Sequence, residues 1–99
     1  MNSLKKLSLN FEEQEKYLNS LGEVSVDELA LEFDDDFILF NLSKLKSDDS
    51  FYECVILINQ KLQIMSDSFE DLWNYQSLKD RQEWEDIRLL ARQALKLMP

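Results

Sequence analysis

The sequence predicts an all-α fold, a single-domain bundle of four to five helices. Leucine occurs 18 times, whereas valine occurs three times and threonine does not occur. Leucine loses little side-chain freedom in a helix, and the β-branched residues that suit a sheet are scarce here. The single glycine and the single proline leave few residues for tight hairpin turns. Apolar residues also recur at helical spacing along most of the chain, which favours helices joined by Ser/Asp turns.

The first predicted helix runs from Asn10 to about Leu21. Asn10 and Glu13 form a capping box, in which each side chain can accept a hydrogen bond from the backbone N–H of the other residue. Gly22 follows as the C-terminal stop, because glycine readily adopts the left-handed conformation that ends many helices.

A long helix is predicted after a second capping box, Ser25 with Glu28, and extends to about residue 46. Apolar residues at offsets of 3, 4, 7, 11 and 14 form one face of this helix. This face consists of Val26, Leu29, Ala30, Phe33, Phe37 and Phe40. A second, narrower stripe on another side consists of Leu31, Ile38, Leu42 and Leu45. Two stripes predict a central helix that touches two neighbouring elements.

Three more helical segments are predicted in the second half of the chain. Ser50 with Glu53 is a third capping box, and the apolar face that follows it consists of Phe51, Cys54, Val55, Ile58, Leu62 and Met65. A short helix is expected to start at Asp67 or Ser68 and to run to about Tyr75. The last helix, from about Lys79 to Met98, places on one face Trp84, Ile87, Ala91, Ala94, Leu95 and Met98.

An α+β fold with a small antiparallel sheet at about 26–65 is the alternative. Residues 51–66 would then form two strands around 59–61, and Asp34–Asp36 would be a turn between two others. Short continuous apolar runs fit a buried strand as well as a helix, so periodicity alone leaves both folds open.

The negative charge is concentrated in the middle of the chain. The formal net charge is −9, and residues 21–71 carry 13 acidic and three basic residues, a local charge of −10. An acidic surface repels nucleic acids and anionic membranes and attracts basic proteins. We therefore expect a protein partner and neither direct nucleic-acid binding nor a membrane. The basic row of the last helix is interpreted as a solvated flank or as internal ion-pair partners; it consists of Arg81, Arg88, Arg92 and Lys96.

The chain offers little for catalysis, metal binding or a cofactor. It contains no histidine, and its one cysteine, Cys54, lies on a predicted apolar face. The triplet Asp34–Asp36 lacks the turn glycine and the twelfth-position glutamate of a calcium loop. A single cysteine excludes an intramolecular disulfide, and no apolar run approaches a membrane span. These features predict a cytoplasmic protein that is not an enzyme and holds no metal or cofactor.

The C-terminal third carries Met-Ser, Leu-Trp, a leucine, Trp-Glu-x-Ile-Arg and Ala-Arg in this order. The residues are Met65, Ser66, Leu72, Trp73, Leu78, Trp84, Ile87, Arg88, Ala91 and Arg92. Over residues 62–95 the chain resembles small bacterial immunity proteins of polymorphic toxin and contact-dependent inhibition systems. The resemblance implies a cytoplasmic protein that neutralises a cognate toxin domain, in many cases a nuclease with a basic substrate cleft.

Charge and resemblance together predict a non-enzymatic inhibitor that binds a basic, nuclease-type toxin domain, with a monomer favoured. Acidic side chains would mimic the phosphates that such a cleft binds, and Tyr52 or Trp73 would act as an aromatic anchor. The acidic candidates are Glu28, Glu32, Asp34, Asp35, Asp36, Asp48 and Asp49. In the helical interpretation four of the first five lie on an outward face, and Asp34 lies between the apolar stripes.

Two other functions fit the same composition. A small acidic secretion chaperone or adaptor would bind through an exposed apolar groove, such as the stripe that includes Leu31 and Ile38, and would be indifferent to salt. A DNA-mimic regulator would instead bind a nucleic-acid-binding protein of the host.

Overall fold

The structure is a computed structural model that describes residues 2–22, 24–42 and 50–98, and of residues 40–42 it describes only the backbone. Six helices lie in this part of the chain. The helices are α1 (Asn2–Ser8), α2 (Phe11–Ser20), α3 (Asp27–Leu42), α4 (Ser50–Ser66), α5 (Tyr75–Asp80) and α6 (Gln82–Leu97). The all-α prediction is confirmed, and no residue within the described ranges lies in a strand. Asp34–Asp36 lie inside α3, and residues 51–66 lie inside α4, so the alternative sheet at 26–65 is wrong.

One hydrophobic core receives side chains from all six helices. The helix α6 packs against α4, α1 and α5, while α3 packs against α1 and α4. The predicted inner faces of α4 and α6 are confirmed: all six residues predicted for α4 are buried, as are Trp84, Ile87, Ala91 and Ala94 of α6. On α3, Leu29 and Phe33 are buried, and Phe37 is partly buried against the core.

The helix α1 is an addition to the four to five helices that the sequence predicts. Its Leu4 and Leu7, three positions apart, are both completely buried. The backbone N–H of Ser3 donates to a carboxylate oxygen of Asp36 on α3 at 3.0 Å. A seven-residue segment has little helical stability of its own. Tertiary contacts therefore stabilise this helix, and local sequence signals do not reveal it.

The predicted ends of α2 agree with the structure. The side-chain oxygen of Asn10 accepts a hydrogen bond from the Glu13 backbone N–H at 2.9 Å. Gly22, just beyond the helix, has a φ of 100°, a left-handed conformation that glycine adopts without a steric penalty.

The helix predicted from Asp67 or Ser68 to about Tyr75 is wrong, since residues 67–74 are not helical and α5 begins where that helix was expected to end. A side-chain oxygen of Asp71 accepts from the Trp73 backbone N–H at 3.0 Å, and the Asp71 carbonyl accepts from the side chains of Asn74 and Ser77. Short polar side chains that bond nearby backbone in this way compete with helix formation.

Candidate partner-binding face

The helix α3 is strongly acidic. Its 16 residues include six acidic residues and no basic one, which gives a formal charge of −6. The helix packs against the core through Leu29 and Phe33, so each carboxylate has a defined position relative to that inner face. The six carboxylates divide into those that bond within the chain and those that face outward.

Glu32 and Asp36 are held by contacts within the chain, which corrects the prediction that they face outward. Asp36 accepts from the backbone N–H of Ser3 at 3.0 Å. One carboxylate oxygen of Glu32 accepts from the hydroxyl of Tyr17 on α2, and its other oxygen is buried without a hydrogen bond to any described residue. Both residues lie within about 100° of Phe33 on the helix, close enough to the inner face to meet α1 and α2.

Tyr17 shows how closely Glu32 is held. Its hydrogen bond to Glu32 and its burial raise the pKa of the Tyr17 hydroxyl to about 12, because ionisation would place two negative charges side by side. The ammonium group of Lys6 lies over the ring of Tyr17, 4.3 Å from its centre. These contacts connect α1, α2 and α3, and they make Glu32 a structural residue of the described fold.

The outer face of α3 consists of Glu28, Leu31, Asp35, Ile38 and Leu39. Leu31, Ile38 and Leu39 are 54%, 59% and 66% exposed. With about 3.6 residues per turn, Leu31 lies about 160° from Phe33, on the side opposite the core. The prediction that this helix touches two neighbouring elements is confirmed, since α3 packs against α1 and α4, but Leu31 and Ile38 of the second stripe remain more than half exposed. The helix carries apolar residues on two opposite sides, and only one of them is covered.

A shallow groove of about 200 Å³ lies beside the outer face. Its lining consists of Asp27, Ala30, Leu31, Asp34, Ser66 and Trp73. The rings of Trp73 and Trp84 meet edge to face with centres 5.4 Å apart, and the indole N–H of Trp84 donates to the Leu72 carbonyl at 2.7 Å. The groove thus has a carboxylate wall on α3 and an aromatic wall fixed to α6.

The groove contains Trp73, one of the two candidate aromatic anchors, and adds Asp27 and Ser66, which the site prediction did not include. Asp27 and Asp34 are seven positions apart, so they lie on the same side of α3, and this spacing is visible in the sequence. Ser66 and Trp73 are distant in sequence, and only the packing of α4 and the following loop brings them to α3. The structure therefore divides the aspartate triplet: Asp34 lines the groove, Asp35 faces outward, and Asp36 binds α1.

Of the remaining predicted contact residues, the structure describes only Tyr52. Tyr52 is half-buried on α4 and lines a second open groove whose described lining comes entirely from α4, so it does not join the α3 carboxylates there. Asp48 and Asp49 lie outside the described residues, as do Leu45 and the side chain of Leu42.

The basic row of α6 is held largely by contacts within the chain. Arg81 pairs with Glu70 and Glu83, and these partners raise its pKa. Arg92 donates to the Ser8 carbonyl at 2.8 Å. Arg88 is 3% exposed and donates to Gln14 at 3.1 Å, and its burial lowers the pKa of the guanidinium. The sequence allowed this basic row to be either a solvated flank or a set of internal partners. The contacts of the three arginines favour internal partners.

Chemically reactive groups are sparse in the described ranges. No three His, Cys, Asp or Glu side chains among those residues are arranged to hold a metal ion. Cys54 is a free, buried thiol, and burial raises its pKa. No helix in the described part of the chain is both long enough and apolar enough to cross a bilayer.

Comparisons of the chain with protein-family models, curated proteins and solved structures gave no match. The function must therefore be inferred from the face itself, which offers carboxylates beside exposed apolar side chains.

Proposed function

We propose that this chain is a non-enzymatic immunity protein that binds and neutralises a cognate bacterial toxin domain in the cytoplasm, as a monomer. The observation that carries the proposal is the charge of α3, −6 without a basic residue. Four of its six carboxylates lie on the outer face or line the groove, namely Asp27, Glu28, Asp34 and Asp35. Glu28, Asp34 and Asp35 have no ion-pair partner among the described residues. The resemblance of residues 62–95 to immunity proteins supports the same function.

The proposed mechanism has two parts. Exposed carboxylates attract a basic surface over a distance and raise the association rate, an effect that salt screens. Apolar side chains that lose water at the contact then slow dissociation. A nuclease-type toxin domain fits this chemistry, because its substrate cleft carries positive charge for phosphates. Occupation of that cleft by carboxylates would exclude the substrate.

The test uses the protein encoded by the adjacent gene as the candidate toxin. Asp34 and Asp35 are replaced with serine, while Asp36 is kept because it binds α1. We expect the association rate constant at low salt to fall about tenfold and its salt dependence to weaken. The control replaces the exposed Glu12 and Glu13 of α2 with serine, an equal change of net charge on another helix.

Two outcomes would contradict the proposal. Co-expression of the chain that leaves the toxicity of the neighbouring domain unchanged would exclude the immunity function. Equal association kinetics of the Asp34/Asp35 variant and the Glu12/Glu13 control would exclude the role of the acidic face.

A secretion chaperone or adaptor is the second candidate, and one specific observation favours it. Leu31, Ile38 and Leu39 are large apolar side chains that the described fold leaves more than half exposed. Dimerisation through these residues, together with binding that does not change with salt, would favour this function over the immunity function.

A further inference from the structure

We propose that the outer face of α3 binds a basic amphipathic helix of the partner, and that the adjoining groove receives one of its arginine or lysine side chains. The inference rests on the proposed function, since it specifies the partner chemistry for the same face. The charge of the face predicts a basic partner, and this inference specifies the shape of the partner segment and the position of its anchor residues.

The exposed residues of α3 form the apolar part of the proposed binding face. Leu31 and Ile38 are seven positions apart, two helical turns, and Leu39 follows directly. A helix of a globular protein normally places apolar residues on one side only, toward the core. Here the side opposite Phe33 is also apolar, so its exposed leucine and isoleucine side chains remain in contact with water. Apolar anchors of a docked helix at matching spacing would cover them.

The charge around these side chains selects the occupant. Asp27, Glu28, Asp34 and Asp35 lie along the same helix, and none forms an ion pair with a described residue. A second copy of the chain would bring two faces of the same sign together, which is unfavourable, and an anionic bilayer would be repelled as well. A helix with basic residues beside its apolar side satisfies both the apolar and the acidic parts of the face.

The groove supplies a specific position for one cation. Asp27 and Asp34 line it from α3, and Trp73 lines it from the loop before α5. A guanidinium group there can donate hydrogen bonds to the carboxylates and stack on the indole ring. Trp73 is held in place by its edge-to-face contact with Trp84 and by the bond of its backbone N–H to Asp71. The groove wall is thus formed before a partner arrives.

The test uses a synthetic peptide of about 15 residues, long enough to become helical on binding, with leucines on one side and arginines beside them. Its dissociation constant is measured by calorimetry, and its position by NMR shifts of the α3 amides and the Trp73 indole N–H. Leu31→Ser with Ile38→Ser is expected to weaken binding at least tenfold. Asp34→Asn is expected to weaken it severalfold and to reduce its salt dependence. Glu12→Gln, on α2, is the control for Asp34→Asn.

A matched control is available on α4 and α6. Leu57 on α4 and Leu89 on α6 are also exposed, and both line an open groove between these helices. Leu57→Ser with Leu89→Ser removes as much apolar surface and should leave the dissociation constant within twofold. Thermal unfolding of both double variants checks that each remains folded.

Three results would overturn the inference. In the first, the Leu31/Ile38 variant binds the peptide as tightly as the Leu57/Leu89 variant. In the second, a scrambled peptide of the same composition binds the wild type as tightly as the designed peptide. In the third, sedimentation shows a dimer that the Leu31/Ile38 substitutions dissociate. The first two results would leave the immunity function standing, since that function depends on rescue from toxicity. The dimer would contradict the proposed monomer and would count in favour of the chaperone or adaptor. Conversely, failure of rescue would leave the peptide result standing.

Discussion

Arg88 on α6 donates from Nε to the side-chain oxygen of Gln14 on α2 at 3.1 Å, and both residues are almost completely buried. Gln14 in turn donates to the carbonyls of Lys6 and Leu7 at 3.1 and 3.0 Å, at the end of α1. A terminal nitrogen of Arg88 also donates to the Leu78 carbonyl of α5. One buried polar network therefore joins four helices and bonds carbonyls that the ends of short helices leave free.

Gln14→Leu should destabilise the protein by about 3 kcal/mol, because it leaves the buried Nε–H of Arg88 without its acceptor and removes the side-chain donor from the Lys6 and Leu7 carbonyls. The free energy of unfolding is measured by urea denaturation. Gln93→Leu is the control, since Gln93 is exposed on α6, and its effect should stay within about 0.5 kcal/mol. Equal stabilities of the two variants would show that the network does not stabilise the fold.

Asp36→Ala should destabilise α1, whereas Asp35→Ala should not. Asp36 accepts the Ser3 backbone N–H, and loss of such a contact at a helix N-terminus costs about 1 kcal/mol. Asp35 is exposed and adjoins other carboxylates, so its loss removes repulsion without removing a bond. Hydrogen exchange of the α1 amides measures the difference. Equal exchange in both variants would contradict the structural role of Asp36.

Tyr17 should make stability fall in strongly alkaline solution. Its pKa is about 12 in the folded protein and about 10 for an unperturbed tyrosine. Below pH 10 the hydroxyl is protonated in both states, so its bond to Glu32 contributes fully. As the pH rises from 10 to 12, the unfolded chain loses this proton first and the contribution disappears. Ultraviolet titration of the wild type against Tyr17→Phe isolates the ionisation of Tyr17.

In Tyr17→Phe the stability lost at neutral pH should be about 1 kcal/mol, the usual contribution of one hydrogen bond. Between pH 10 and 12 the free energy of unfolding should also fall less in the variant than in the wild type. Identical alkaline profiles for the two proteins would contradict the bond between Tyr17 and Glu32.

Cys54 should react with thiol reagents only when the protein opens. Its side chain is buried on α4, and burial raises its pKa, so little thiolate is present and little of it is accessible. Labelling with an aromatic disulfide reagent should therefore be slow in buffer and fast in urea. Rapid labelling of the folded protein would show that α4 opens locally without global unfolding.

The apolar pattern predicted the inner sides of the long helices well. The stripes of α4 and α6 and the positions of Leu29 and Phe33 are buried as predicted, because each long amphipathic segment has one side that must leave water. The segment 67–74 was predicted as helix and is not, since Asp71 bonds the local backbone. Helix α1 was not predicted, because it is short and is stabilised by the packing of Leu4 and Leu7 against other helices. The sequence does not show that α3 and α6 cover these two residues.

The candidate face was predicted in part. The sequence identified the acidic segment and the second apolar stripe, but it could not say which carboxylates bond within the chain. Glu32 and Asp36 are near Phe33 on the helix, so the packing of α1 and α2 decided their partners. Trp73 meets Asp27 and Asp34 of α3 at the groove through the loop before α5, whose path depends on the burial of Leu72.

Composition and periodicity by themselves favoured an all-α fold over the α+β alternative, and the sequence alone determined the acidic middle and the lack of histidine, because these properties depend on residue types and their local spacing. Tertiary structure alone decided the fate of Asp34, Asp35 and Asp36. Successive helical residues point about 100° apart, so neighbours in sequence meet different surroundings. One aspartate lines a groove, one faces outward and one holds α1 in place.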